Sequence, residues 1–167
     1  MSNAQTGIAE VDLAVIETAR SRIAGVVRRT PLVRLPVEPE LFVKAESLQL
    51  TGSFKIRGAY NFLAAYGARE LQRGVVTHSS GNHAQGVACA ARLLGVPATI
   101  VIPDNAPPLK VERTRAHGAT IVRCGNSSDE REAAAAELVA EQGLTLVPPF
   151  DHPLVVAGQG TVGLALW

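Results

Sequence analysis

The chain has 167 residues, enough for one domain or for one domain with a piece of another. Hydrophobic residues make up 47% of the chain and charged residues 19%, a composition that excludes an intrinsically disordered protein. The formal net charge of +1 leaves no excess of basic groups to neutralise a phosphate backbone, so we expect no nucleic-acid partner.

Helix-like and strand-like patterns alternate along the chain. Apolar residues at helical spacing predict a first helix that ends near Gly25, and two short strands follow at 31–35 and 41–45. The predicted order then continues with helix 56–69, strand 74–78, helix 83–94, strand 98–102, helix 108–117, strand 119–123, helix 128–142 and strand 144–147. The segment 158–161 predicts the start of a last helix, with Thr161 near its cap.

This alternation predicts an α/β fold. Strands separated by helices of about 10–15 residues indicate βαβ units and a parallel sheet. The strand at 98–102 is apolar or β-branched throughout, as a strand covered by helices on both faces requires. We therefore expect a three-layer αβα arrangement.

Several other classes of protein are disfavoured by the sequence. Cys89 and Cys124 form no C-x-x-C pair and no Cys/His ligand spacing, so we expect two reduced, buried thiols and no metal site. Residues 1–7 do not resemble a signal peptide, and no apolar run approaches about 18 residues. We expect a soluble, cytoplasmic protein with no membrane partner.

The end of the chain carries an unfinished apolar pattern. Val162, Leu164, Leu166 and Trp167 begin a helix-like pattern that no glycine or polar residue closes. We therefore expect the chain to be the first part of a longer protein.

Lys55 is the first candidate for chemistry, in the segment Thr51-Gly-Ser-Phe-Lys-Ile-Arg-Gly58. The simpler interpretation is a surface lysine, but the N-terminal end of a helix disfavours a cation. The same position, with partial burial and Arg57 nearby, would lower the pKa of the amine. A lysine that acts as a nucleophile needs such a neutral amine.

The second candidate is the segment Thr77-His-Ser-Ser-Gly-Asn-His-Ala-Gln-Gly86, where a predicted strand leads through hydroxyls, a glycine and an amide into a helix. Backbone N–H groups at such a helix start can bind a carboxylate or phosphate. The alternative is an ordinary helix capped by a serine or asparagine. His78 and His83 are more typical of structural histidines than of catalytic ones.

The third candidate, Ala157-Gly-Gln-Gly-Thr161, is weak by itself. Gly158, Gly160 and Gly163 have the G-x-G-x-x-G spacing of dinucleotide-binding loops. No apolar strand leads into the segment and no acidic residue follows it, so the pattern does not support a nicotinamide cofactor.

Three motifs together resemble one family. Ser53-Phe-Lys-Ile-Arg-Gly-Ala59, Ser79-Ser-Gly-Asn-His-Ala-Gln-Gly86 and Pro149-Phe-Asp-His-Pro153 with Ala157-Gly-Gln-Gly-Thr161 are similar to the threonine/serine dehydratases and serine racemases. These are fold type II enzymes that use pyridoxal 5′-phosphate (PLP). The resemblance runs from about Ile8 to the end of the chain.

The resemblance implies a role for each matched residue. Lys55 corresponds to the lysine that bonds to PLP and later moves the α-proton, Phe54 to the aromatic residue beside the cofactor ring, and Asn82 to the amide that binds the 3′-oxygen of PLP. The loop that holds the substrate carboxylate corresponds to Ser79, Ser80, Gly81, Asn82 and His83. Ser80 also matches the second acid/base of the racemases, and Gln159 lies in a motif that lines the cleft.

The resemblance also implies a division of the chain and a reaction. Residues 48–147 correspond to the smaller domain, whereas 1–47 and 148–167 correspond to parts of a larger α/β domain whose phosphate-binding loop lies further along the chain. The expected reaction is the PLP-dependent deamination of L-threonine or L-serine to a 2-oxo acid and ammonia. A serine racemase, a serine-specific eliminase and a non-catalytic fragment that needs a partner chain remain as alternatives. We expect the full-length protein to form a homo-oligomer.

Overall fold

The computed structural model describes residues 11–166, so that 1–10 and Trp167 lie outside the described residues. The helices are α1 (Leu13–Ile23), α2 (Lys55–Tyr66), α3 (Asn82–Leu94), α4 (Pro108–Arg115), α5 (Ser128–Gln142) and α6 (Pro153–Leu164). The strands are β1 (Leu32–Leu35), β2 (Leu41–Lys44), β3 (Val75–His78), β4 (Ala98–Pro103), β5 (Thr120–Cys124) and β6 (Thr145–Leu146). A short 3-10 turn, Glu46–Leu48, follows β2.

The central sheet has four parallel strands in the order β5-β4-β3-β6. Neighbouring strand residues point to opposite faces. Val76 and Val101 pack with Ala135 of α5 on one face, whereas Val75 and Ile100 belong to the core that contains α2 and α3. Helices therefore cover both faces of the sheet, which confirms the predicted αβα layers.

Strands β1 and β2 form a separate antiparallel hairpin, in which Leu32 pairs with Lys44 and Leu35 with Leu41. Apolar side chains along it are only half covered: Leu32 is 46% exposed and Phe42 is 49% exposed. A two-stranded hairpin has little stability by itself in water. Within the described residues, this hairpin thus leaves an apolar surface open.

Helix α6 begins at Pro153, with the His152 side chain accepting a hydrogen bond from the backbone N–H of Leu154 at 3.2 Å. The prediction that this helix starts at 158–161 is wrong, because the glycines there lie inside the helix and serve packing. A Cβ on Gly158 would lie 2.8 Å from the Cα of Gly58 in α2. The two glycines let α6 cross α2 in direct backbone contact.

Two smaller differences from the sequence predictions concern a helix end and a thiol. Helix α2 stops at Tyr66 rather than 69, because Gly67 turns the chain with a φ of 80°. Both cysteines are free and Cys89 is buried, as expected, but Cys124 is only half-buried, so the prediction that both thiols are buried is wrong for Cys124. No helix among residues 11–166 is long and apolar enough to cross a bilayer.

Candidate active site

Lys55 is the first residue of α2, and its amine is half-buried. Nζ donates a hydrogen bond to the carbonyl oxygen of Pro149 at 2.7 Å and lies 5.5 Å from the centre of the Phe54 ring. Burial lowers the pKa of the Lys55 amine below its ordinary value of 10.5. Burial therefore shifts the protonation equilibrium of this amine towards the neutral, nucleophilic form.

Arg57 does not contribute to this pKa shift as the sequence suggested. Its guanidinium binds the carboxylate of Glu46 on another side of α2, at 2.8 Å. Burial is the cause of the lowered pKa of Lys55. The expectation that the charge of Arg57 lowers the pKa of Lys55 was wrong, because residues two apart on a helix do not share a face.

The Ser79–Gly81 loop joins β3 to α3. The Ser79 N–H donates to the Val101 carbonyl of β4 at 3.0 Å, and the Ser79 hydroxyl accepts from the Gly81 N–H at 3.2 Å. Ser79, Ser80 and Gly81 are half-buried, and Asn82 is exposed. The loop thus begins at the carboxyl end of β3, an inner strand of the sheet.

The first turn of α3 has no side-chain cap. Its N-cap residue is Gly81, and neither serine of the loop accepts a cap hydrogen bond from the helix. A Cβ built on Gly81 would meet no atom within 4 Å. The capped-helix alternative is therefore wrong, and this helix start offers backbone N–H groups to an anion.

His83, in the first turn of α3, is buried with an exposure of 4%. Its Nε2 lies 3.3 Å from the Val147 carbonyl, which also accepts the Thr77 hydroxyl at 2.7 Å. A carbonyl oxygen only accepts, so Nε2 carries the hydrogen, and Nδ1 is left as a buried acceptor with no partner. Burial lowers the pKa of His83 to about 4, and the ring is neutral at physiological pH.

Two features bring Lys55 and the loop region together. A Cβ on Gly86 of α3 would lie 3.1 Å from the carbonyl carbon of Lys55, so that α3 packs against the start of α2. The segment 147–149 then accepts hydrogen bonds from both sides, through Val147 from His83 and through Pro149 from Lys55. Because of this packing, the starts of α2 and α3 line one region.

Gln159 of α6 lies against α2 rather than in the loop. Its Nε2 would be 3.0 Å from a Cβ on Gly58, one helical turn after Lys55, and it is buried without a hydrogen-bond partner. Positions three residues apart lie on the same side of a helix. Gln159 is thus placed on the Lys55 side of α2.

The sequence did not single out Thr77 or the Pro149 carbonyl. Thr77 reads as an ordinary β-branched strand residue, and a backbone carbonyl carries no sequence signal. Among residues 11–166, no three His, Cys, Asp or Glu side chains lie close enough to hold a metal ion.

Comparison with known proteins gives a consistent assignment. A family model described as pyridoxal-phosphate dependent enzyme matches residues 23–167. The L-threonine ammonia-lyase of Geobacter sulfurreducens is 48% identical over 155 residues, which are 90% of this chain and 39% of that protein. The L-threo-3-hydroxyaspartate ammonia-lyase of a Pseudomonas species is also 48% identical, over 89% of this chain and 48% of its own length.

Solved structures agree with the observed fold. Maize serine racemase superimposes with a TM-score of 0.90 at 43% identity, over 93% of this chain and 49% of that one. The serine racemase of Dictyostelium discoideum gives a TM-score of 0.86 at 38% identity, over 93% and 52% of the two chains. The chain spans about half or less of the length of these relatives.

Proposed function

The chain belongs to the family of pyridoxal-phosphate dependent enzymes, and from this premise we propose that it carries the lysine-bearing part of a threonine/serine dehydratase. Such an enzyme deaminates a β-hydroxy amino acid to a 2-oxo acid and ammonia. The observation that carries the proposal is the half-buried Lys55 amine, with its lowered pKa, placed beside Phe54 and near the uncapped start of α3.

The residues present fit PLP on its aldehyde side. A half-buried amine with a lowered pKa suits a bond to the cofactor aldehyde, and the space at Gly81 leaves the start of α3 open to a ligand. The buried Nδ1 of His83 and Nε2 of Gln159 have no partners, so both can serve a ligand. When bound, PLP withdraws electrons from the α-carbon of an amino acid and thereby acidifies its α-hydrogen.

The proposed roles follow from these placements and from the family resemblance. Lys55 would bond to PLP, Phe54 would lie beside the cofactor ring and Asn82 would bind the 3′-oxygen of the cofactor. The substrate carboxylate would bind at the loop and first turn of α3, through Ser79, Ser80, Gly81, Asn82 and the backbone N–H of His83, because the His83 Nδ1 is an acceptor and cannot bind a carboxylate. Gln159 lines the same cleft.

The proton transfer falls to Lys55. Burial lowers the pKa of the Lys55 amine, which favours the free-base form that would take the α-proton of the substrate. The substrate carboxylate, held by N–H groups at the start of α3, fixes the orientation of the α-carbon. The β-hydroxyl would leave as water after taking up a proton, and the protonated Lys55 amine is the donor that this chain supplies.

A racemase is the second candidate. Similarity to maize serine racemase supports it, and so does the half-buried Ser80 in the loop. Racemisation needs a proton donor on the face of the substrate opposite Lys55, and Ser80 is the matched residue for that role. A serine-specific eliminase would use Lys55 alone.

A third candidate is a fragment that becomes active only with a second chain. The half-exposed hairpin β1–β2 and the coverage of about half or less of each relative favour it. We propose that residues 1–47 and 148–167 belong to a larger α/β domain, and that 48–147 form the smaller one. The separation of the hairpin from the parallel sheet supports this division.

A complementation assay tests the activity. The chain is assayed alone and mixed with the separately produced remainder of the Geobacter relative, with PLP and L-threonine, L-serine or L-threo-3-hydroxyaspartate. We expect 2-oxo acid only in the mixture, abolished by Lys55→Ala and retained in Lys110→Ala, which changes an exposed lysine. Product from the Lys55→Ala mixture, or no product from the parent mixture, would refute the proposal.

A further inference from the structure

A buried ion pair lies behind the candidate lysine. Arg57 Nε and Nη2 donate to the two carboxylate oxygens of Glu46, each at 2.8 Å. The side chains are only 6% and 12% exposed. Arg57 and Glu46 therefore form a bidentate pair of charge-assisted hydrogen bonds that is shielded from solvent.

The pair joins α2 to three other parts of the chain. Arg57 also donates to the Arg28 carbonyl at 3.3 Å and to the Thr161 hydroxyl of α6 at 3.4 Å. Glu46 accepts from the Thr30 hydroxyl at 2.6 Å. One guanidinium thus ties the first turn of α2 to the segment 28–30, to the 3-10 turn and to α6.

Stability alone gives a weak reason for this arrangement. A buried ion pair often contributes no more than well-packed apolar side chains of the same volume, because both charges lose their hydration. What distinguishes the ion pair from apolar packing is its fixed geometry, because the planar guanidinium donates its hydrogen bonds in set directions. The first turn of α2 otherwise lacks a side-chain cap at Phe54.

Lys55 stands two residues before Arg57 in the same turn. The two side chains leave the helix in different directions, Lys55 towards the Pro149 carbonyl and Arg57 towards Glu46. The turn is therefore held on both sides. We propose that Arg57 and Glu46 are positioning residues, whose ion pair holds the first turn of α2 so that the Lys55 amine stays against the segment 147–149.

This inference rests on the proposed function only for the chemical role of the Lys55 amine. The placement can be measured without catalysis, because burial is the cause of the lowered pKa of Lys55 and no charge effect of Arg57 contributes. A change in that pKa on removing the ion pair would therefore report a change in the placement of the amine. His83, the nearby titratable group of α3, stays neutral over the range of the measurement.

The test measures the pKa of the Lys55 amine by competitive acylation across pH, with each lysine peptide quantified by mass spectrometry. The chain has three lysines, and exposed Lys110 is the internal reference. Arg57→Met removes the pair, and the isosteric Glu46→Gln weakens it while one side-chain oxygen still accepts from the guanidinium. Ala135→Gly, in α5 across the sheet, is the control for general destabilisation.

We expect a lowered pKa for Lys55 in the parent chain and in Ala135→Gly. In Arg57→Met the pKa of Lys55 should rise, so that its labelling relative to Lys110 near neutral pH falls, by about threefold. Glu46→Gln should give a smaller fall in the same direction. If Arg57→Met does not fold, the labelling of Lys55 in Glu46→Gln is the deciding measurement.

Equal labelling of Lys55 in the parent chain and in folded Glu46→Gln and Arg57→Met would overturn the inference. Trapping PLP on the parent chain with borohydride tests the proposed function separately. A pKa change at Lys55 without PLP at that residue would leave the positioning intact and reject the cofactor role. PLP at Lys55 without the pKa change would support the cofactor role and reject the positioning by Arg57 and Glu46.

Discussion

The contact between α2 and α6 should be intolerant of a single methyl group at Gly158. A Cβ there would lie 2.5 Å from the Arg57 carbonyl oxygen and 2.8 Å from the Cα of Gly58. Both are backbone atoms and cannot move aside as a flexible side chain would. Gly158→Ala must therefore push α6 away from α2.

The size of the effect follows from two opposing contributions. Replacing glycine by alanine inside a helix stabilises it by roughly 0.5–1 kcal/mol. Overpacking costs about 1–3 kcal/mol, and the upper end applies where only backbone can yield. We expect Gly158→Ala to lower the free energy of unfolding by about 2 kcal/mol.

Gly163→Ala is the matched control in the same helix. A Cβ on Gly163 would meet no atom within 4 Å, so only the helix-stabilising contribution remains. Urea unfolding followed by circular dichroism should separate the two variants by about 3 kcal/mol. If Gly158→Ala were as stable as Gly163→Ala, the close crossing of α2 and α6 would be refuted.

Three further predictions concern the candidate site. The pKa of His83 is about 4 in the folded chain and 6.5 ordinarily, so the unfolded chain takes up the proton first as the pH falls. The free energy of unfolding should therefore decrease by up to about 3 kcal/mol as the pH falls from about 6.5 to 4. Urea titrations of His83→Gln should show a smaller decrease over the same pH range. A decrease as large as that of the parent chain would show that His83 is not its cause. Ser80→Ala in the complemented protein should abolish interconversion of the serine isomers, followed by chiral chromatography, while Lys55 still exchanges the α-proton of L-serine in deuterated water. Racemisation at the parent rate would show that Ser80 has no acid/base role. The chain alone should bind PLP weakly in absorbance titrations and more tightly with the remainder of a relative present, and equal affinity in both would contradict the proposed division of the fold.

The sequence was most informative about the α/β layers. Runs such as 100–102 are apolar on both faces, and glycines such as Gly95 end helices by adopting a left-handed conformation. These signals are local, so they can be recognised without knowing the fold. The start of α6 was misplaced because Gly158 and Gly160 look like turn residues, whereas Gly158 lies in a helix contact that depends on α2.

In the candidate site, too, some residues can be recognised from local sequence patterns and others depend on the fold. Lys55 and the loop 79–83 could be recognised because a helix start and a polar loop after a strand are local patterns. The acceptors that orient them could not, since the Pro149 carbonyl is 94 residues from Lys55 along the chain. The ion pair of Arg57 with Glu46 was missed for the same reason, and the proximity of Arg57 to Lys55 in sequence suggested a charge effect that the fold does not produce.

The central claim is that Lys55 is the residue that bonds to PLP. The most direct test incubates the chain with saturating PLP, reduces it with borohydride and identifies the modified peptide by mass spectrometry. Only three lysines compete, and the Lys55 amine has burial, a lowered pKa and a neighbouring aromatic ring in its favour. We expect the pyridoxyl group on Lys55. Label on Lys44 or Lys110, with none on Lys55, would contradict it.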